Sequence, residues 1–564
     1  MSAHGQPTPE IATGRVPSPR PGWAEFASSS DHKDTGRVFI VAALGFLALA
    51  AVEFFLMRLQ LAVPDNTLIA PITFNRLLSV FGVTTLALFA LPMAFGFFTY
   101  VVPLQIGARG LAFPRLGSLA LWLYLAGAAV VYASFFYTPP ELGSPALPPM
   151  SGDLAFLDNN GTDVWIMALG LVTLGLVLQS MNLAVTVARE RAPGMAWRRL
   201  APFSVAGATS SWLMIVIGPV MLAALVMLIV DRHFGGVFFA AGEGGSPTYF
   251  QHIATIFGTG GFLVVALFAL GVISETVETF SGRPLRSRRG VGRSLVAIAI
   301  LGVPSWMQSL YAGNIAIGWL YGSMLFAIAL LVPFGFVYWS WIATLVGGGS
   351  RDRAPLVLAL GAATVLSFGL LGALMTSLIP IGLLLDGTTD WTAEAGALVL
   401  GGGVLAGFAA LQYWMPKMTG RALGEGPAKL ALLLVMIGAA VTLLPMWLAG
   451  LAGQPANTYR YFEGEGLDTL NLLSSIGSLV LLVGILIALV NAVLGAGGGR
   501  KVGHDPWGGG SLEWLALSPP PPHNFDLVPD VRSDEPMRDI REGIGAARGI
   551  EADPEPASRA QPVA

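Results

Sequence analysis

Long apolar runs set the terms for this chain. Twelve stretches, 38–62, 77–104, 116–138, 164–188, 205–231, 253–279, 293–312, 315–346, 354–384, 394–416, 428–452 and 469–496, are predominantly apolar, and most are joined by short loops. A helix needs about 20 such residues to cross the hydrocarbon layer of a bilayer. Only helices and closed barrels satisfy their own backbone polar groups there. The runs therefore predict an all-α integral membrane protein with twelve transmembrane helices, the longer ones tilted or extended into the interface.

Charge and composition narrow the function. Charged residues make up 12% of the chain and hydrophobic residues 54%, where a soluble domain carries about 25% charged residues. A water-soluble enzyme is excluded on that ground. The 70 glycines suit helices whose backbones approach closely. Arginines occur in short stretches between apolar runs instead of on one basic face, so no nucleic-acid partner is expected. With no cysteine in the sequence, disulfides, thiolate zinc sites, iron–sulfur clusters and thiolate-ligated haem are all ruled out.

Loops after even-numbered runs are rich in arginine, with Arg109, Arg115, Arg189, Arg191, Arg198, Arg199, Arg283, Arg286, Arg288 and Arg289 among them. Loops after odd-numbered runs carry acids such as Glu141, Asp153, Glu243, Asp386 and Glu463. The positive-inside rule then places both termini in the cytoplasm. Residues 1–36 form a polar tail without an apolar core, so no cleavable signal is expected and the first apolar run acts as the membrane signal. Residues 37–497 form the membrane domain, 498–532 a proline- and glycine-rich segment expected to dock, and 533–564 a polar stretch expected to be disordered.

Several stretches carry a more specific signal. FNRLLSVFG from Phe74 and LPMAFGFFTYVVPLQIGARGLAFPRLG from Leu91 to Gly117 resemble the second span and following loop of subunit I of the haem–copper oxidases. RAPGMAW from Arg191, DRHFG from Asp231, ISETVETFSGRPL from Ile273 and YWMPKMTGR from Tyr413 look like later loops of the same family. PWGGGSLEW from Pro506 and SPPPPHNFDLVP from Ser518 resemble its bacterial C-terminal segment. The similarity runs in order over residues 36–535 and implies a multi-pass protein of a bacterial inner membrane, in the lipid bilayer beside other oxidase subunits.

The resemblance also implies two haems and one copper, held by six buried histidines, and here the chain departs from it. The family's ligand in the second span falls on Phe81. The copper ligand, proton-relay glutamate and cross-linked tyrosine of its sixth span fall on Thr259, Gly261 and Leu263. Its seventh-span histidine pair falls on Gln308 and Ser309, and the two tenth-span histidines on Glu394 and Gly396. No histidine stands between His252 and His504 in any register. The family's proton routes lose their groups at Gly110, Thr99, Gly117, Phe334 and Val337. Its haem-propionate arginines fall on Ala456 and Asn457, and its outer metal pair on Asp386 and Gly387.

Neither a phenylalanine nor a glycine replaces an imidazole as a metal ligand. Ions inside a bilayer cost roughly 2.5–3.5 kcal/mol each on insertion scales, so a bundle with no ion to hold is expected to lose them. No catalytic residue, haem or metal is therefore predicted. Met181, Met214, Met221, Met307 and Met324 are read as packing. Glu394 has two readings, a proton or cation site and an acid at the outer interface beside Asp390 with water in reach, and the second is preferred. Arg58 matches a family arginine near the low-spin haem; the preferred reading is a structural salt bridge or an interface anchor. The function expected is a non-catalytic structural or regulatory subunit of a respiratory oxidase. Two alternatives stay open: an active terminal oxidase with unusual ligation, and a transporter or sensor using Glu394, Asp386 and Glu53 in an emptied pocket.

Overall fold

In the computed structural model, which describes residues 29–143, 146–152, 160–306, 316–349, 352–528 and 530–541, each apolar run winds into helix with its boundaries set by local chemistry. Proline opens many of the helices, where its missing N–H costs nothing: Pro71, Pro114, Pro202 and Pro247 stand at first positions. Gly282 and Gly420 close the sixth and tenth spans in the left-handed conformation, at φ 67° and 71°.

Eleven helices among the described residues are long and apolar enough to cross a membrane. They are His32–Gln60, Pro71–Gln105, Pro114–Phe136, Gly161–Arg189, Pro202–His233, Pro247–Ser281, Ile317–Gly347, Ala354–Ser377, Thr389–Thr419, Glu425–Leu451 and Asp468–Gly498. The seventh candidate, 293–312, differs from expectation: its helix is Arg288–Gly302, 15 residues, or about 22 Å at 1.5 Å per residue. This seventh span continues as a tighter helical turn over 303–306, and residues 307–315 beyond it lie outside the described set. The ninth run also divides: Leu378 is extended and a separate helix, Ile379–Leu385, follows with Pro380 in its first turn, where the missing N–H could not have continued the helix Ala354–Ser377.

Spans two and ten each change winding midway. Val83–Ala90 and Leu400–Leu405 are π-helical. In the tenth span the wide turn contains Gly401, whose absent side chain leaves Leu366 nitrogen 2.4 Å from where a Cβ would stand. Spans eleven and twelve meet in the same manner: a Cβ on Gly438 would stand 2.5 Å from the Leu481 nitrogen, and one on Gly477 2.6 Å from the Thr442 nitrogen. Small residues at crossings are how membrane helices gain contact without a hydrophobic drive between them.

Beyond the twelfth span the chain folds back over one end of the bundle. Arg500–Lys501 pairs antiparallel with Arg421–Ala422 at the end of the tenth span. Leu512, Trp514 and Phe525 are buried against that end. The expectation of disorder from 533 is corrected for the first residues of that stretch, since Pro536–Arg541 is a short helix with Met537 buried and Arg541 paired to Asp505. The apolar Met537 and this ion pair supply what the polar composition concealed. Residues 542–564 lie outside the described set.

The two ends of the interior are packed differently. Toward the C-terminal segment every residue from Leu91 to Gln105 is buried, as are Leu263–Ser281 and Ala406–Met418. Toward the other end Phe81, Leu86, Thr259 and Phe262 are half-buried. Overpacking a tight contact costs about 1–3 kcal/mol. Gly477→Ala is thus expected to lower the thermal midpoint of the detergent-solubilised chain, while Gly426→Ala, whose Cβ would meet nothing within 4 Å, leaves it unchanged or raised. Equal midpoints for both variants would contradict the close crossing.

Candidate functional site

The described residues at the positions that the resemblance assigns to ligands come from spans two, six and ten. The Phe81 ring stacks on Phe54 of the first span, with centroids 5.8 Å apart and planes 22° apart. Thr259 is half-buried. Leu86, on the π-helical segment of span two, puts a methyl 3.2 Å from where a Cβ on Gly261 would be. Leu263 lies against Gly302 of the seventh helix in the same way, at 2.5 Å, and Leu443 lies 3.2 Å from the open side of Gly396. Gln308 and Ser309 lie outside the described residues, as does Met307.

Glu394 departs from the preferred reading. It is only 8% exposed, and the Thr376 hydroxyl donates to its Oε2 at 3.0 Å, so it is a buried, hydrogen-bonded acid instead of one facing water. Glu53 is also buried, at 7% exposure. The Tyr132 hydroxyl donates to its Oε1 at 3.0 Å and also meets the Thr84 hydroxyl at 2.8 Å. The two acids have separate partners on separate spans, and Asp386 is exposed in the loop before the tenth span. The structure therefore does not assemble these three into one pocket.

Among the described residues Arg58 makes no salt bridge. Its Nη2 donates to Asn471 Oδ1 at 2.9 Å, and Asn471 in turn exchanges hydrogen bonds with Gln454. A neutral amide pair thus engages one arm of the buried cation where an acid was anticipated, while its Nε has no partner among the described residues. At the proton-route positions, Phe334 and Val337 are buried apolar side chains, and Thr99 accepts from Gln179 at 2.6 Å. Gly110 sits in an open turn with nothing within 4 Å of its Cβ position. His252 is half-buried, 6.0 Å edge-on to Trp306. Among the described residues no group of three or more His, Asp or Glu side chains is arranged to hold a metal ion.

A second polar centre, at the end covered by the C-terminal segment, escaped the reading of the sequence. Glu275 and Glu278 of span six and Glu513 of the C-terminal segment are 3%, 7% and 1% exposed. Glu278 pairs with Arg288 at 2.7 Å. Glu513 Oε1 accepts from Gln105, Trp414 and Ser511 at 3.1, 3.3 and 3.0 Å. Nearby, Lys417 Nζ donates to the carbonyls of Ala516 and His504. His32, missed because it borders the polar tail, is buried between the Thr99 carbonyl and Asn524. The available signal was the pair of acids at 275 and 278, costly in a predicted span unless partnered.

Together these contacts fasten the segment after the twelfth span to the bundle. Burial pushes the Glu513 carboxyl above the ordinary glutamate range, so docking disfavours its charged form. The contribution is whole below the undocked value of about 4.3 and is lost as the pH rises through the raised docked value. Proteolysis of the C-terminal segment in the intact chain should therefore quicken with rising pH relative to Glu513→Gln. Parallel rates for the two across the range would rule the linkage out.

Comparison with known proteins places this architecture. The family described as Cytochrome C and Quinol oxidase polypeptide I matches residues 34–480. Cytochrome c oxidase subunit 1 of Thermostichus vulcanus is 32% identical over 510 residues, covering 90% of this chain and 91% of that protein. Heme-copper oxidase subunit I+III of Aeropyrum pernix is 32% identical over 530 residues, 93% of this chain and 64% of that longer protein. A solved heme-copper terminal oxidase dimer shares the fold, with TM-score 0.69 at 14% identity over 84% of this chain and 85% of that one. The twelve-run pattern, the packed helical bundle and these matches agree that the chain is a membrane protein of the cytochrome c and quinol oxidase subunit I family.

Proposed function

We propose that this chain is a non-catalytic member of its family, a structural or regulatory subunit of a respiratory oxidase complex in a bacterial inner membrane, with both termini in the cytoplasm. The observation that carries the reading is the stack of Phe81 on Phe54 at a position where the family places a haem ligand. Haem iron in this family is held by imidazole, and copper by three more. The side chains at the described ligand positions are Phe81, Thr259, Glu394 and Gly396, and Glu394 is already engaged by Thr376. That donor set does not fit two haems and a copper.

The outer surface supports the subunit role. Helix faces rich in exposed Leu, Val and Trp line the eighth span, including Trp319, Leu325, Val332, Trp339 and Val346, and suit lipid or another spanning subunit. The Aeropyrum relative carries subunits I and III in one name, which gives such a neighbour a precedent. Chain purified from cells supplied with haem precursor and copper is expected to carry far less than one haem per chain and no copper, and to consume no oxygen. A stoichiometric haem by pyridine haemochrome would restore the reading of an active oxidase with unusual ligation.

Glu53 and Glu394 favour one further reading, a proton-conducting or sensing role, because intramembrane carboxyls are rare away from function. Liposomes containing the chain would then show proton flux that Glu53→Gln and Glu394→Gln each abolish. Flux equal to that of empty liposomes removes the transport form of this reading.

A further inference from the structure

The loop between the fourth and fifth spans, residues 190–201, leaves the bundle at the end covered by the C-terminal segment. The fourth span ends at Arg189 and the fifth begins at Pro202, so the loop stands where two spanning helices leave the apolar layer. Residues 188, 189, 191, 192 and 194–196 line an open concavity of about 350 Å³ there.

Its shape is held from below. The Ala192 N–H donates to the Ile106 carbonyl at 2.8 Å, and the Val531 N–H donates to the Pro193 carbonyl at 2.9 Å. Arg199 Nη1 donates to the carbonyls of both Gly194 and Val531, at 2.7 and 2.9 Å. Gly194 is required at the turn, since its φ is 78° and a Cβ would meet the Val531 oxygen at 2.3 Å. The C-terminal segment thus preforms the concavity.

The charge in it is uncompensated. The Arg191 guanidinium lies 4.5 Å over the Trp197 ring, and its nearest hydrogen-bond acceptor is the Ala188 carbonyl at a long 3.5 Å. Its Nη1 has no acceptor, and burial without any acid lowers its pKa. Arg189 is exposed, and neither arginine forms an ion pair among the described residues. Glu190, exposed between the two arginines, forms an ion pair with neither among the described residues, and Asp530 at the rim faces Arg532 at 3.9 Å. A partly desolvated cation with no counter-charge is costly, and an anion relieves it. Trp197, 52% exposed beside it, has the amphipathic ring that settles at the headgroup level of a bilayer.

We propose that this concavity is a headgroup site for an anionic phospholipid, with Arg189 and Arg191 taking the phosphate and Trp197 lying along the glycerol region. Guanidinium–phosphate contacts are charge-assisted and directional, and basic pockets at the ends of spanning helices are suited to acidic lipid heads. The site does not depend on whether the chain carries cofactors.

The test uses the intact chain, delipidated in neutral detergent, with thermal melting and native mass spectrometry after addition of phosphatidylglycerol, phosphatidylcholine or inorganic phosphate. Phosphatidylglycerol is expected to raise the midpoint and remain bound, phosphatidylcholine and inorganic phosphate not. Arg189→Gln with Arg191→Gln should weaken phosphatidylglycerol retention by roughly tenfold or more, about one charge-assisted contact, while Arg198→Gln leaves it intact. Should the double variant fold poorly, the exposed Arg189→Gln alone carries the same expectation. Equal retention by wild type and variant overturns the proposal, as does no preference for phosphatidylglycerol. A full effect from inorganic phosphate would overturn the lipid assignment in favour of a free anion.

Discussion

Lipid gives membrane helices no hydrophobic reason to prefer one another over the solvent around them, so the cohesion of this bundle rests on close contact. Gly438 and Gly477 let spans eleven and twelve touch backbone to backbone, and Gly401 does the same for the tenth span against the ninth. Dense aromatic contact then ties spans two, five, six and ten together. Phe98, Phe203, Phe268 and Trp414 meet with centroids between 4.6 and 6.0 Å apart. The positions that the resemblance assigns to ligands lie away from this dense packing, where Phe81 stacks on Phe54 and Leu86 and Thr259 are half-buried.

Polar groups remain where they fasten parts together. Arg58 is held by the amide of Asn471, linking the first and twelfth spans. Arg288 and Glu278 join the sixth span to the seventh, and Glu513 brings the C-terminal segment onto Gln105 and Trp414. Breaking a buried pair by removing one partner costs about 3–5 kcal/mol, whereas replacing both with apolar groups is often neutral. Buried polar groups therefore persist at both ends of the interior, Glu278 and Glu513 under the C-terminal segment and Glu53, Arg58 and Glu394 toward the other end.

Most of this architecture was legible in the sequence, because span length and apolarity are dictated by bilayer thickness. The seventh run is described only to Trp306, with its α-helix ending at Gly302. Leu378 broke the ninth run for a reason visible in advance, the proline two residues on. Other features depended on contacts between distant residues. Nothing local announces that Asn471 accepts from Arg58, that Thr376 donates to a buried Glu394, or that Met537 and Arg541 order a polar stretch. The ligand positions were assigned through the resemblance alone, and their packing by Phe54, Leu86 and Leu443 is information that only the folded chain contains.

The proposed loss of haem and copper rests on the residues at positions 81, 259, 394 and 396 and on the stack of Phe81 with Phe54. A cryo-EM map of the chain purified from haem- and copper-replete cells tests it most directly. The account predicts density for the Phe81 ring lying on Phe54 and for Leu86 over Gly261, with these side chains in contact. Planar macrocycle density parting spans two and ten, with Phe81 turned away from Phe54, would contradict it.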